Sequence, residues 1–329
     1  MVYGSKDKLR STTNRWNRAR VVGIAILLAV VGYYSFQSTS ICVPESGPLL
    51  QTLFGNDNLQ KQSKFWCYDD GLPWSAQEMM DEIGSFTELY DTRPLGRKIG
   101  GMGFDHSFYL WFTLKKLQPS FIVESGIFEG HTTWLIKQAC PKAQVISMDP
   151  NDLLKQRFDG VTYLTGENFS DFNSIPWSTY DFSPENSFVL FDDHQSGLRR
   201  AMEAYSHGFG HVMFDDNFFG TTGDNYSLRK ICDPRFEVKY TDSFGTITKD
   251  ISQNTRNAHN RMMRQLFKGY HEFPPMLSTK VSGCQTFQDE QAKPALLQKD
   301  ADVSNLLEKV PLEFLQGYYY MCYVTLNNH

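Results

Sequence analysis

The sequence predicts an α/β fold: an open, doubly wound, mostly parallel sheet with helices on both faces. Three observations carry this. Between Phe121 and Phe214, five short apolar runs are separated by helix-length stretches or long connections, which requires parallel crossovers. A turn with two glycines four apart follows the first run. Four of the five runs end on a carboxylate or in a polar cluster, and ligands of open parallel sheets bind beyond that edge.

The 329 residues divide into a basic tail (1–20), an apolar segment (21–36), a stem (37–73) and one large domain (74–329). With 41% apolar and 21% charged residues, the chain is not mainly disordered, fibrous or polytopic. The net charge of −5 conceals a split. The tail holds six bases and one acid, and the remainder holds 26 bases and 36 acids. An acidic body argues against nucleic acid as a partner. The run Val21 to Phe36 carries no charge and is close to the roughly 17 to 25 residues that a spanning helix needs. It reads as a cleaved signal peptide or as an uncleaved signal anchor. The long basic flank and the bulky Tyr33, Tyr34 and Phe36 favour the anchor, while Ser38, Thr39 and Ser40 leave a cleavage site available. An anchor of this polarity makes a single-pass type II membrane protein of the endoplasmic reticulum or Golgi, with residues 41–329 lumenal. Six cysteines form no C-x-x-C pair. Cys42 and Cys67 are a candidate bridge, and Cys140 and Cys322 lie among apolar residues as buried thiols would.

Within the large domain, Ser75 and Glu78 form a capping box for a helix over 75–90, with Met79, Ile83, Phe86 and Tyr90 at helical spacing. Asp105 is expected to cap a second helix, His106 to Leu117. Strands follow at 121–124, 144–149, 161–165, 187–191 and 211–214, with helices at 132–139 and 198–206. Phe236 to Tyr240 and Gly317 to Leu326 read as two further strands. The residues between them, 241–316, are too many for a loop of a compact domain and read as an insertion or lid on the substrate side.

The first strand runs into Glu124-Ser125-Gly126, with Gly130 four residues further on, a turn that lets backbone approach a ligand at a helix start. Phe128 stands where a dinucleotide fingerprint has its middle glycine, so a nucleoside without a pyrophosphate fits better. Asp149 ends the second strand, either to accept ribose hydroxyls or as part of an ordinary Asp-Pro-Asn turn. Glu167 follows the third strand, within reach of an adenine edge or solvated. The fourth and fifth strands end in Asp192-Asp193-His194 and Asp215-Asp216-Asn217. That many carboxylates in one crevice repel unless a cation or proton intervenes, and their oxygens suit Mg²⁺ or Mn²⁺. The bland alternative makes Asp192 and Asp215 helix caps.

At these residues the sequence resembles the class I S-adenosylmethionine-dependent methyltransferases, whose fold is of the Rossmann-like type predicted above. The E-S-G-x-x-x-G-H-T turn is most similar to the branch of cephalosporin hydroxylase-like proteins and macrolide sugar O-methyltransferases. Asp193-His194 with Asp216-Asn217 resembles the metal site of catechol O-methyltransferase. The resemblance implies S-adenosylmethionine as cofactor, with Glu124, Gly126 and Gly130 along its methionine part and Asp149 on its ribose; Ser125, Glu167 and Asp192 at the neighbouring strand ends complete the candidate cofactor-binding set. It also implies a divalent metal on Asp193, Asp216 and Asn217. The catechol enzymes have a lysine shortly after the aspartate-histidine pair, where this chain has Gln195, Ser196 and Gly197. That leaves His194, beside Asp193, as the nearest candidate base. The function expected is O-methylation of a hydroxyl on a sugar, glycan or other small molecule. A type II glycosyltransferase shares the tail, anchor and stem, but neither acidic cluster reads Asp-x-Asp. A non-catalytic protein that keeps the fold predicts no cofactor binding. No iron triad is recognisable, so hydroxylase chemistry has no support.

Overall fold

The computed structural model describes residues 70–96, 101–217, 226–232, 239–242, 245–248, 251–278, 293–315 and 321–327. The predicted anchor at 21–36, the stem up to residue 69 and the Cys42 and Cys67 pair lie outside the described residues. Among the described residues, no helix is long and apolar enough to cross a membrane.

Helix α1 (Ala76–Asp91) begins at the capping box of Ser75 and Glu78 and buries Met79, Phe86 and Tyr90. Its Phe86 packs against the rings of Phe104, Phe108 and Trp111. These belong to α2 (Phe104–Leu117), in which eleven of fourteen residues are buried. Each fully buried phenylalanine here contributes on the order of 2 kcal/mol. The cap of α2 corrects the expectation for Asp105: the N-cap is Gly103, and Asp105 lies inside the helix, buried.

Five parallel strands follow: β1 (Phe121–Ser125), β2 (Gln144–Asp149), β3 (Val161–Thr165), β4 (Ser187–Phe191) and β5 (His211–Phe214). Helix α3 (His131–Ala139) links β1 to β2, and α4 (Gly197–Ser206) links β4 to β5. Beyond β5 come α5 (Leu228–Cys232), a two-stranded hairpin of β6 (Lys239–Asp242) and β7 (Gly245–Thr248), and α6 (Gln253–Leu266). The chain then forms β8 (Phe267–Glu272), α7 (Asp300–Leu307) and β9 (Cys322–Leu326). The main sheet has the order β3-β2-β1-β4-β5-β9-β8, so it is an α/β fold with a seven-stranded mixed sheet. Only β9 runs against its neighbours.

Alternation along the strands sorts their side chains onto two faces. Ile122, Val145, Phe188, Leu190, Met213 and Tyr323 pack in one cluster with α1, α2 and α3. Val123, Ile146, Val189, Phe191, Val212 and Val324 pack in another with Leu198, Ala201, Leu228 and Met263 of α4 to α6. Both faces are covered, which is why the strands read as continuous apolar runs.

Two expectations for the last third of the chain change. The strand read at 236–240 lies partly outside the described residues, and its described part belongs to the β6–β7 hairpin. The segment 241–316 is not wholly an insertion, because its residues 267–272 form β8 at the edge of the main sheet. Since β9 is antiparallel to both β5 and β8, β8 is parallel to β5, and its Glu272 end lies at the same edge as the end of β5. Asp70 covers the outer side of β8: its N–H donates to the Tyr270 carbonyl (3.0 Å) and its carboxylate accepts from the Tyr270 N–H (3.0 Å).

Candidate functional site

The sheet order reverses between β1 and β4, and the crevice at their carboxyl ends is where ligands of such folds bind. The turn after β1 occupies it. Gly126 has φ +96°, and a Cβ there would lie 2.1 Å from the Asp192 carbonyl oxygen. That glycine therefore serves the close passage of the turn over the end of β4. Gly130 (φ +100°) is the N-cap residue of α3 and presents the start of that helix to the crevice.

Asp149 holds the turn. Its Oδ2 accepts the N–H groups of Ile127 (3.0 Å) and Phe128 (3.2 Å), and its Oδ1 accepts that of Asn151 (2.8 Å). A carboxylate has about four acceptor positions, so about one, on Oδ1, is left for a ligand hydroxyl. Both readings of Asp149 thus survive in one residue: it organises the turn and keeps capacity for a ribose. Glu167 is exposed on the 3₁₀ turn that follows β3.

Glu124 does not face the crevice, which corrects its expected role beside the cofactor. It is fully buried and accepts hydrogen bonds from Thr132 Oγ1, from Thr133 Oγ1 (2.7 Å) and from Ser147 Oγ (2.6 Å). Burial outweighs these bonds and pushes its pKa up to about 7. Glu124 and Ser125, adjacent on a strand, point to opposite faces. Ser125 donates from Oγ to Asp193 Oδ2 at 2.7 Å.

The metal set read from the sequence is rearranged. Asp193 is committed to buried Arg200, whose Nε donates to its Oδ2 at 2.8 Å; Arg200 also pairs with Asp171 and Glu203. Asn217 is fully buried, donating to the Tyr270 hydroxyl (2.8 Å) and accepting from the Arg229 N–H (3.0 Å). Neither is turned to a cation. Ligand atoms of Asp192, His194 and Asp216 instead lie within 4.8 Å of one another. His194, in the left-handed region (φ +55°) and exposed, has Nδ1 3.0 Å from Asp216 Oδ2. Asp216 is 4% exposed, and its buried Oδ1 has no hydrogen-bond partner among the described residues. An orphaned carboxylate oxygen beside two further donors is what a divalent cation would satisfy; the two carboxylates suit Mg²⁺ or Mn²⁺, while the His194 imidazole is a donor preferred by later first-row ions.

Sequence reasoning missed His106. From α2 its Nδ1 donates to Asp215 Oδ1 at 2.6 Å, both groups buried. Burial by itself would lower the His106 pKa, but the Asp215 carboxylate overrides it, and the value is pushed up to about 9. Asp215 is therefore an ion-pair partner and not a solvent-facing cap. Asp105 next to it is raised to about 6 by burial. The available signal was a titratable pair, Asp105-His106, just ahead of the apolar run Phe108 to Phe112 in the same helix.

No protein-family model matches the chain, and no curated protein matches it. Among solved structures it is similar to an O-methyltransferase from Bacillus cereus in complex with SAH, with 10% identity over 78% of this chain and 93% of that one, at a TM-score of 0.36. It is also similar to an SAH-bound methyltransferase from Podospora anserina, with 12% identity over 87% of this chain and all (100%) of that one, at a TM-score of 0.32.

Proposed function

We propose that this protein is an S-adenosylmethionine-dependent O-methyltransferase, assisted by Mg²⁺ or Mn²⁺. The observation that carries the reading is a convergence at one sheet edge. A glycine turn held by Asp149 lies beside Asp192, His194 and Asp216, whose Asp216 Oδ1 is buried without a described partner. The sulfonium cofactor supplies the methyl group, and a cation on Asp192, His194 and Asp216 would orient and acidify an acceptor hydroxyl. The residues of the chain have three tasks in this scheme. The α3 start and the free position on Asp149 Oδ1 receive the nucleoside. Asp216 fixes the His194 ring through Nδ1, so that Nε2 is the nitrogen available to a ligand or a proton. Arg200 holds Asp193, which in turn accepts the Ser125 hydroxyl.

The acceptor in this reading is a hydroxyl of a sugar, glycan or other small molecule in the secretory pathway. The uncharged run 21–36 behind a basic tail supports an anchored, lumenal enzyme, and that compartment supports a glycan acceptor.

Calorimetry of S-adenosylmethionine on the full chain in detergent micelles, with and without Mn²⁺, tests the proposal. Binding is expected in the wild type and is expected to be lost in Asp149→Ala. Asp216→Asn should abolish the Mn²⁺ dependence, whereas Asp193→Ala should lower the melting temperature and leave Mn²⁺ binding in place. A folded wild type that binds no S-adenosylmethionine under either condition overturns the assignment.

A further inference from the structure

Three consecutive residues leave β5, and each has a different fate. Asp215 turns to the face covered by α2 and receives His106 Nδ1 at 2.6 Å. Asn217 is fixed at both ends of its amide, by the Tyr270 hydroxyl of β8 (2.8 Å) and the Arg229 N–H of α5 (3.0 Å). Its own N–H donates to the Asp215 carbonyl at 3.2 Å. Between these two pinned neighbours stands Asp216, directed at His194 and Asp192, with its buried Oδ1 unpartnered among the described residues.

We infer that His106 and Tyr270 are positioning residues, two clamps from α2 and β8 that hold the end of β5 so that Asp216, of the three residues leaving that strand, presents its carboxylate to a divalent cation shared with Asp192 and His194. The inference rests on the cation reading proposed above. The physical argument is preorganisation. A carboxylate on a freely moving strand end samples orientations that do not bind, so fixing the residues on both sides of it raises the fraction that does. His106 fixes the residue on one side by pairing with Asp215. Tyr270 removes the remaining freedom by bonding the next side chain. Neither residue belongs to the ligand set, and each reaches the strand end from a different layer of the fold, so the two clamps can be lost separately.

The test is Mn²⁺ affinity of the full chain in detergent micelles, read from the electron paramagnetic resonance signal of free Mn²⁺, with thermal melting recorded on the same samples. His106→Leu is expected to weaken Mn²⁺ binding roughly 10- to 100-fold, the range for residues that orient metal ligands. His106→Asn, whose amide N–H takes the place of Nδ1–H, is expected to restore most of the affinity. Tyr270→Phe removes one hydroxyl and should weaken binding in the same direction; the Asn217 amide and Glu272 lose a partner, so the melting temperature is expected to fall by a few degrees with the fold retained. If His106→Leu does not fold, Tyr270→Phe and His106→Asn decide the matter. Unchanged Mn²⁺ affinity in folded His106→Leu or in Tyr270→Phe, with Asp216→Asn abolishing binding, overturns the clamps and leaves the cation site standing. A wild type without Mn²⁺ binding overturns the cation reading and the clamps with it.

Discussion

Glu124 illustrates how a residue type can be right for a ligand and wrong in direction. Its carboxyl titrates near 7 inside the fold against an ordinary 4.5. A carboxyl raised in this way binds its proton more tightly in the folded chain, so its contribution is fully present below pH 4.5 and is lost as pH rises through 7. The slope is at most about 1.4 kcal/mol per pH unit. Asp105, raised to about 6 by burial, acts in the same sense. His106, raised to about 9, adds stability that is present below its ordinary 6.5 and is lost as pH rises through 9. Urea melts are therefore expected to show stability falling from about pH 6.5 to pH 9; below that, His131, lowered to about 4 by burial, acts in the opposite sense. Glu124→Gln should flatten the part between pH 4.5 and 7 and raise stability at pH 8. A variant that melts below wild type at pH 8 would mean that the three hydroxyl donors need the anion.

At the level of elements, the site depends on how closely two strand ends pass. The turn after β1 crosses the end of β4 at Gly126, with a hydrogen bond from the Asp192 N–H to the Ser125 carbonyl at 2.8 Å. Gly126→Ala puts a methyl group 2.1 Å from the Asp192 carbonyl and forces a non-glycine residue to φ +96°. The expected cost is about 3 kcal/mol or more, read by denaturant unfolding, because backbone strain and a backbone clash combine. At Gly130 the nearest obstacle is the Leu154 Cδ2 side-chain atom at 3.0 Å, so the clash is smaller although the positive φ remains. The order of severity, Gly126 above Gly130, distinguishes a turn shaped by strand crossing from one shaped only by a helix start.

For the whole molecule, the proposal joins a described domain to an N-terminal run that lies outside the described residues. If residues 21–36 anchor the chain with the domain in the lumen, residues 70–329 should be protected from protease in sealed microsomes and digested once detergent is added. They should also resist extraction by carbonate. Asn168 of the Asn168-Phe169-Ser170 sequon is exposed, so a glycan removable by endoglycosidase is expected there in the same preparation. Protection without detergent and cleavage with it would support the type II orientation, and cleavage in intact vesicles would reverse it.

Local chemistry written into the sequence determined most of the elements. The capping box of Ser75 and Glu78, the apolar runs of β1 to β5, the positive-φ glycines and the buried thiols of Cys140 and Cys322 could all be read from neighbours in the chain. Strand alternation also told that adjacent strand-end residues part to opposite faces. It could not tell which partner waits on each face, because two of them come from α2 and β8, 109 and 53 residues away, and the third, Arg200, is aimed at Asp193 only by the way α4 packs. Asp192, Asp193, Asp215 and Asp216 are chemically identical carboxylates. Only tertiary packing gave Asp193 to Arg200, Asp215 to His106, and left Asp192 and Asp216 beside His194. A buried charge must find a counter-charge or hydrogen bonds, and which carboxylate does so is settled by what the fold brings within 3 Å of it.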